Sequence, residues 1–370
     1  MIRVFEPKIT VSDKLSVLKS LNRNLISGTS PEVENFETLY AKKFNMKFAV
    51  AVSSGSAALD LAFQNLDLKN GDEVILPSFT IVSCLSAVIR AGGNPVFCDV
   101  DNTSWNMRLK DIEKVVTSKT KAVLMVHTYG LTAEAEEIAN YCLKNNILII
   151  EDAAEAHGQK YSEKYCGTFG MISTFSFYAN KHITTGEGGM LLTNDELIYQ
   201  KLKKMRNLDF DKKKRFVHNN MYWNFRMSSM QAALGISQMK NLEKVIKLKI
   251  SQGNKYLNLL ENYQDYFQLP IKEINQIKNH FWVFGIVLKK ENIRDQLIKS
   301  LFNKQIETRP FFWPLHLQPF LPPTQNKYNL NTTERIGRNG LYLPMGQHVN
   351  EKIQVDIVKK LLKESKTLAR

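Results

Sequence analysis

The sequence predicts an α/β protein: a parallel sheet covered by helices on both faces, with a smaller second unit after it. Three observations carry this. Short apolar runs alternate with helical patterns over the first two thirds of the chain. The run Ile147-Leu-Ile-Ile150 is apolar without alternation, as a strand buried on both faces must be. Beyond Met227 the pattern changes to long helical stretches and one strand-like segment.

The elements follow in order. Phe48–Val52 reads as a strand and Ala57–Leu68 as a helix; then come strand Glu73–Leu76, helix Ile81–Ala91, strand Val96–Asp99, strand Ala122–Val126 and helix Glu134–Lys144. After Met227, one helical stretch from Met230 to Val245 continues towards Tyr263, and His280–Leu288 follows as a strand. The spacing therefore predicts a large unit over 1–245, with an N-terminal arm, and a small unit over 246–370.

With 370 residues and 44% hydrophobic content, the chain can bury a large core and a smaller one. Neither a signal-peptide stretch nor an apolar run of the ~20 residues a membrane helix needs is visible, which predicts a cytoplasmic protein without a membrane partner. Cys84, Cys98, Cys142 and Cys166 fall at irregular intervals with no C-x-x-C pair, so reduced thiols are expected and no structural metal. The formal charge is +14, but the lysines are scattered and the densest cluster, Lys212–Arg215, follows Asp209 and Asp211. That argues for a solvated loop and against a nucleic-acid partner, while a basic surface would steer a phosphate-bearing substrate.

The chemistry lies in two segments, Glu151–Gly158 and Ser173–Gly189. Asp152 emerges at the C-terminal end of the apolar strand, where open α/β sheets bind ligands. Lys181 follows in a segment rich in small residues. A lysine used as an amine nucleophile needs a largely dry site, and an acid must partner the pyridine nitrogen of pyridoxal phosphate (PLP). Lys181 is thus read as a Schiff-base lysine, and Asp152 as the acid that keeps the ring nitrogen protonated. Ser54, Gly55 and Ser56 lie between a strand and a helix, where free N–H groups make an anion site for the cofactor phosphate. An ordinary helix cap is the plainer account of these three, and only the company of Asp152 and Lys181 reverses it. Gly186, Gly188 and Gly189 let the backbone pass close to a ligand.

These motifs, together with Ile26-Ser-Gly28, Phe36-Glu37, Tyr222–Met227 and Ile306–Pro310, resemble the DegT/DnrJ/EryC1/StrS nucleotide-sugar aminotransferases. The resemblance spans nearly the whole chain. It implies the aspartate aminotransferase type fold (PLP fold type I), with a mostly parallel central sheet and an α+β C-terminal domain. It makes Ser176 a phosphate ligand, lays Ala154 against one ring face and puts Glu155 near the phenolic oxygen. Asn224 would reach the cofactor phosphate of a neighbouring subunit, giving a homodimer with shared sites. Ile81 stands where relatives place an aromatic that stacks on the ring. Glu-Asp-Ala-Ala-Glu and Glu-Thr-Arg-Pro followed by an aromatic pair are similar to the subgroup that makes perosamine and related 4-amino-4,6-dideoxy sugars.

The reaction so implied moves an amino group from L-glutamate, through pyridoxamine phosphate, to C4 of a nucleotide-linked 4-keto-6-deoxyhexose for O-antigen or another surface polysaccharide. Arg309, Phe311 and His316 fall in a segment resembling the lining of the nucleotide-sugar pocket, and Arg226 is placed to meet a substrate carboxylate or pair across the subunit interface. The alternatives are a 3-aminotransferase acting on a 3-keto sugar and a non-catalytic auxiliary homologue; the nucleotide base stays open. Related 3-dehydratases carry histidine in place of the lysine, so Lys181 argues against them. His157 is expected to satisfy a buried loop hydrogen bond. His182, opposite Lys181 on an extended segment, is expected to be packing or solvent. His127 divides evenly between structure and ligand.

Overall fold

The computed structural model describes residues 1–211, 213–275, 277–322 and 328–369. Lys212, first of the basic cluster, lies outside them. The helices are α1 (Val11–Asn22), α2 (Pro31–Lys43), α3 (Gly55–Gln64), α4 (Val82–Arg90), α5 (Leu109–Glu113), α6 (Ala135–Lys144), α7 (Glu196–Arg206), α8 (Ser229–Met239), α9 (Leu242–Leu260), α10 (Arg294–Asn303), α11 (Asn331–Asn339) and α12 (Glu351–Ala369). The strands of the first unit are β1 (Phe48–Val52), β2 (Glu73–Pro77), β3 (Asn94–Cys98), β4 (Thr120–Val126), β5 (Leu148–Asp152), the hairpin β6 (Lys160–Tyr161) and β7 (Lys164–Tyr165), β8 (Ile172–Ser176) and β9 (Gly189–Thr193). Those of the second are β10 (Phe267–Gln268), the pair β11 (Glu273–Ile274) and β12 (Ile277–Lys278), β13 (Phe284–Leu288), β14 (Arg309–Pro310) and β15 (Gly340–Leu343).

Seven strands form the central sheet in the order β1-β9-β8-β5-β4-β2-β3. Only β9 runs against the others. Each strand feeds both faces at period two. Val50, Val52, Leu124, Val126 and Leu191 pack with α3 and α4, whereas Ala49, Ala51, Met190 and Leu192 pack with α2 and α8 on the other side. Val123, Met125 and Ile149 cover the same reverse face further along, under α6. Because neither face meets water, these strands read as unbroken apolar runs.

The second unit is a four-stranded antiparallel sheet, β10-β13-β15-β14, with α10, α12 and the end of α9 on it. The boundary near residue 246 falls inside α9. Leu242 and Ile246 belong to the first core, and Tyr256 and Leu260 to the second. The N-terminal segment also crosses over: Ile2 pairs with Ile306, and Val4 N–H donates to Glu307 at 3.1 Å.

Two expectations change. The long helix from Met230 is broken at Lys240-Asn241, where the chain turns tightly enough for Lys240 N–H to reach Ser237 O at 3.2 Å and Asn241 N–H Gln238 O at 3.0 Å. The strand expected from His280 begins only at Phe284, because Asn279 Oδ1 caps Phe281 N–H at 2.8 Å and Phe281 turns to φ 50°. A fifth cluster, Phe79, Tyr129, Trp105, Trp282 and Phe311 among it, seals the junction of the two units.

Candidate active site

The C-terminal ends of β4, β5 and β8, the N-terminus of α3 and the loop before β13 enclose a cleft of about 390 Å³. Asp152 is the last residue of β5. Its Oδ1 accepts from Ala154 N–H at 3.0 Å and its Oδ2 from the Cys84 thiol at 3.3 Å. Burial raises its pKa, against the pull of those two donors and of Lys181. Among the described residues it has no ion-pair partner at bonding distance, so a cationic N–H entering the cleft would meet an under-compensated carboxylate.

Lys181 sits in the loop between β8 and β9. Its Nζ lies 3.6 Å from Glu155 Oε1 and 3.9 Å from the centroid of the Trp282 ring. Burial lowers its pKa, opposed by Glu155 and Asp152. Burial also pushes Glu155 up to about 7, although Lys181 and the Tyr129 N–H, at 2.9 Å from Oε2, favour its charge. Burial thus moves the two values towards each other, the amine down and the carboxyl up.

The N-terminus of α3 forms one wall. Ser54 Oγ accepts from Ala57 N–H at 3.1 Å as an N-cap, so its hydroxyl serves the helix. Gly55 and Ser56 occupy the first turn, whose N–H groups lack intrahelical partners. A Cβ on Gly55 would stand 2.8 Å from Ser176 Cβ, and one on Gly189 2.4 Å from Ser54 O. Only glycine lets the helix end come this close to Ser176 at the end of β8. Ser56 Oγ bonds Ser83 Oγ at 2.7 Å. A largely buried amine, an under-compensated acid and an open helix N-terminus fit the aldehyde, ring nitrogen and phosphate of PLP.

A protein-family model for the DegT/DnrJ/EryC1/StrS aminotransferase family matches residues 7–362. This chain belongs to that family. Within it, the chain is similar to a GDP-perosamine synthase of Escherichia coli O157:H7, 36% identical over 343 residues and 93% of each chain. Among solved structures it resembles Helicobacter pylori PseC, an aminotransferase involved in pseudoaminic acid biosynthesis (TM-score 0.93, 25% identity, 99% of each chain). A GDP-4-keto-6-deoxymannose-3-dehydratase with a trapped PLP-glutamate geminal diamine is also similar (TM-score 0.89, 25% identity, 98% of this chain and 100% of that one). The fold is the family's PLP fold type I, the chain is a PLP-dependent sugar aminotransferase, and its cofactor is PLP.

Against this family frame the other sequence candidates divide. Ala154 and Ile81 line the cleft, and Ile81, the residue before α4, is 44% exposed. Asn224 lies outside the cleft of its own chain, exposed and bridged to Asn207. Arg226 is also outside, tied to Asn207 Oδ1. Arg309, beside the cleft-lining Tyr342 in the sheet register, ion-pairs with Glu307 at 3.1 Å and covers the Phe5 ring. Two further candidates, Phe311 and His316, also stand outside the cleft lining. Phe311 is 3% exposed, wedged among Phe79, Tyr129 and Trp105, and its neighbour Phe312 lines the cleft instead. His316 is buried with Nδ1 bonded to Ser78 Oγ at 2.7 Å and Nε2 3.4 Å from Glu334, a bridge between the units.

The other three histidines weighed from the sequence, His157, His127 and His182, are all buried. His157 joins Tyr40 OH at 3.0 Å to Ser176 O at 2.9 Å. His127 reaches the cleft wall, but its Nδ1 accepts from Ala133 N–H, leaving Nε2–H to donate to Glu151 at 2.8 Å. Lys181 and His182 are not on a strand; their loop nevertheless buries His182, 6.1 Å from His157. Sequence reasoning missed Cys84, Phe312, Tyr342 and Trp282. Cys84 is reached by helical spacing from Ile81; Trp282 carries no local signal.

Proposed function

We propose that the protein moves an amino group from L-glutamate to C4 of a nucleotide-linked 4-keto-6-deoxyhexose, as a GDP-perosamine synthase does, supplying a surface polysaccharide such as O-antigen from the cytoplasm. One observation carries the reading: the largely buried Lys181 amine lines the cleft between Glu155 and an aromatic face, with Asp152 at the strand end in the same lining. PLP, when bound, withdraws electrons from the reacting carbon and holds the amino group between donor and acceptor. Lys181 is the residue that binds it and then carries protons at its Nζ, an amine kept easily deprotonated by burial. Asp152 holds the ring nitrogen, and Gly55, Ser56 and Ser176 receive the phosphate. Glu155, close to Nζ, takes or returns the proton that Lys181 moves.

The active species is a homodimer with shared sites. Support comes from exposed apolar surface: Met221 is 97% exposed and Phe216, Val217 and Trp223 lie open in the segment that carries Asn224, and elsewhere Val11, Leu15 and Leu18 of α1 are open too. Asn224 would complete the partner's phosphate site, with Arg226 and Arg309 near the sugar nucleotide. A mixture of Lys181→Ala and Asn224→Ala proteins should then regain activity that neither has alone.

The deciding experiment loads the enzyme with L-glutamate, removes the donor and follows the cofactor absorbance as GDP-, dTDP- and UDP-linked 4-keto-6-deoxy sugars are added singly. Recovery of the original band with one of them is expected. A glutamate response with no recovery from any sugar would overturn the acceptor assignment and keep the aminotransferase.

A further inference from the structure

Trp282 is contributed by the loop before β13, yet its ring forms one side of the Lys181 amine, with the Glu155 carboxylate on another. It is 4% exposed and held by three bonds. Its indole N–H donates to Asn180 O at 3.0 Å, its backbone N–H to Tyr129 O at 3.2 Å, and its carbonyl accepts from the buried Lys249 Nζ at 2.9 Å. The loop that receives it is fixed too. Tyr129 and Gly130 sit at φ 61° and 92°, a Cβ on Gly130 would stand 2.5 Å from Trp282 N, and Phe281 crosses them at φ 50°. The N–H of Tyr129 meanwhile anchors Glu155. One dipeptide of the large unit thus orients both neighbours of the amine.

An ammonium over an indole face is stabilised by the ring quadrupole, and more so where water is excluded. A neutral amine gains little from the same contact. We propose that Trp282 is a positioning residue that holds the protonated Lys181 amine against Glu155, so that an aromatic of the small unit sets how readily this amine gives up its proton. The consequence for catalysis rests on the role proposed for Lys181; the contact itself does not.

The test measures Lys181 in the cofactor-free protein. Trace labelling with acetic anhydride across pH, read by peptide mass spectrometry, gives the apparent pKa of this one amine. Trp282→Leu should lower it by about one unit, leaving roughly ten times more unprotonated amine at a pH below it, and Trp282→Phe should lower it less. A ring that only fills space predicts the opposite sign, because water admitted by the smaller side chain would raise the value. An unchanged or raised value in Trp282→Leu overturns the proposal.

Global replacement of tryptophan by mono- and then tetrafluorotryptophan keeps the shape and needs no cavity, so it decides the matter even if Trp282→Leu does not fold. The pKa should fall with fluorine number in the wild-type chain and stay constant in Trp282→Phe; a flat series in the wild type overturns the proposal. Borohydride reduction of the PLP-loaded wild type keeps the two readings apart. Label on Lys181 supports its cofactor role, and label elsewhere would sink that role while leaving the titration interpretable.

Discussion

Glu151 and Glu155 lie four residues apart in one acidic segment, are both buried, and have opposite fates. Glu151 points behind the sheet, where the N–H groups of Gly167, Phe169 and Gly170, the Ser173 hydroxyl and His127 all donate to it. Burial alone would raise its pKa, but those donors bring it below the usual carboxylate value. Glu155 points into the cleft, keeps one backbone donor and the lysine, and rises to about 7. Among two buried carboxylates, the number of fixed donors separates the one that holds the fold from the one proposed to handle a proton.

The largest effect sharpens the cleft side. Lys181→Ala should lower turnover by at least about a thousandfold, since it removes the residue proposed as both nucleophile and proton carrier, and absorbance after dialysis should show weaker PLP retention. Behind the sheet, Glu151→Ala should destabilise the protein by about 3–5 kcal/mol, seen as a lower melting temperature with or without cofactor, because five donors lose their acceptor in a dry place. Equal damage from Glu155→Ala would break the comparison.

Glu155→Gln reads the difference through pH. In the cofactor-free protein the folded carboxyl keeps its proton up to about pH 7, whereas the unfolded one releases it near 4.5. Its contribution to stability is therefore full below pH 4.5 and is lost as pH rises through 7, by up to about 3 kcal/mol. Denaturant titrations from pH 4.5 to 8 should show that decline in the wild type and a flatter profile in Glu155→Gln. The smallest effect belongs to Cys84→Ala, which removes the thiol donor to Asp152. It should weaken PLP binding less than about tenfold, measured by fluorescence titration, and leave the melting temperature within a few degrees.

Much of this architecture was legible in the residues. Strands buried on both faces announce themselves as apolar runs; Asp152 was read from its place at the end of one, and Lys181 from the segment that follows it. Parity was not legible: Phe311 and Phe312 are adjacent, so one faces the core and the other the cleft, but composition does not say which. His316 beside them has the chemistry of a ligand and the surroundings of a bridge between units. Trp282 was hidden for a different reason. Its segment reads as plain strand, and its role depends on a left-handed turn at Phe281 and on a loop some 150 positions earlier that no local pattern connects to it.

The route of α9 bears on how this enzyme could be divided. Ile246 Cδ1 lies where a side chain on Gly158 would stand, 2.6 Å from the position of its Cβ, at the end of the segment that carries Asp152 and Glu155. A fragment stopped at residue 245 would thus strip a packing partner from the end of the segment that carries these two carboxylates. The helix is a keel common to both halves, and heat or denaturant should dismantle them together in a single cooperative step.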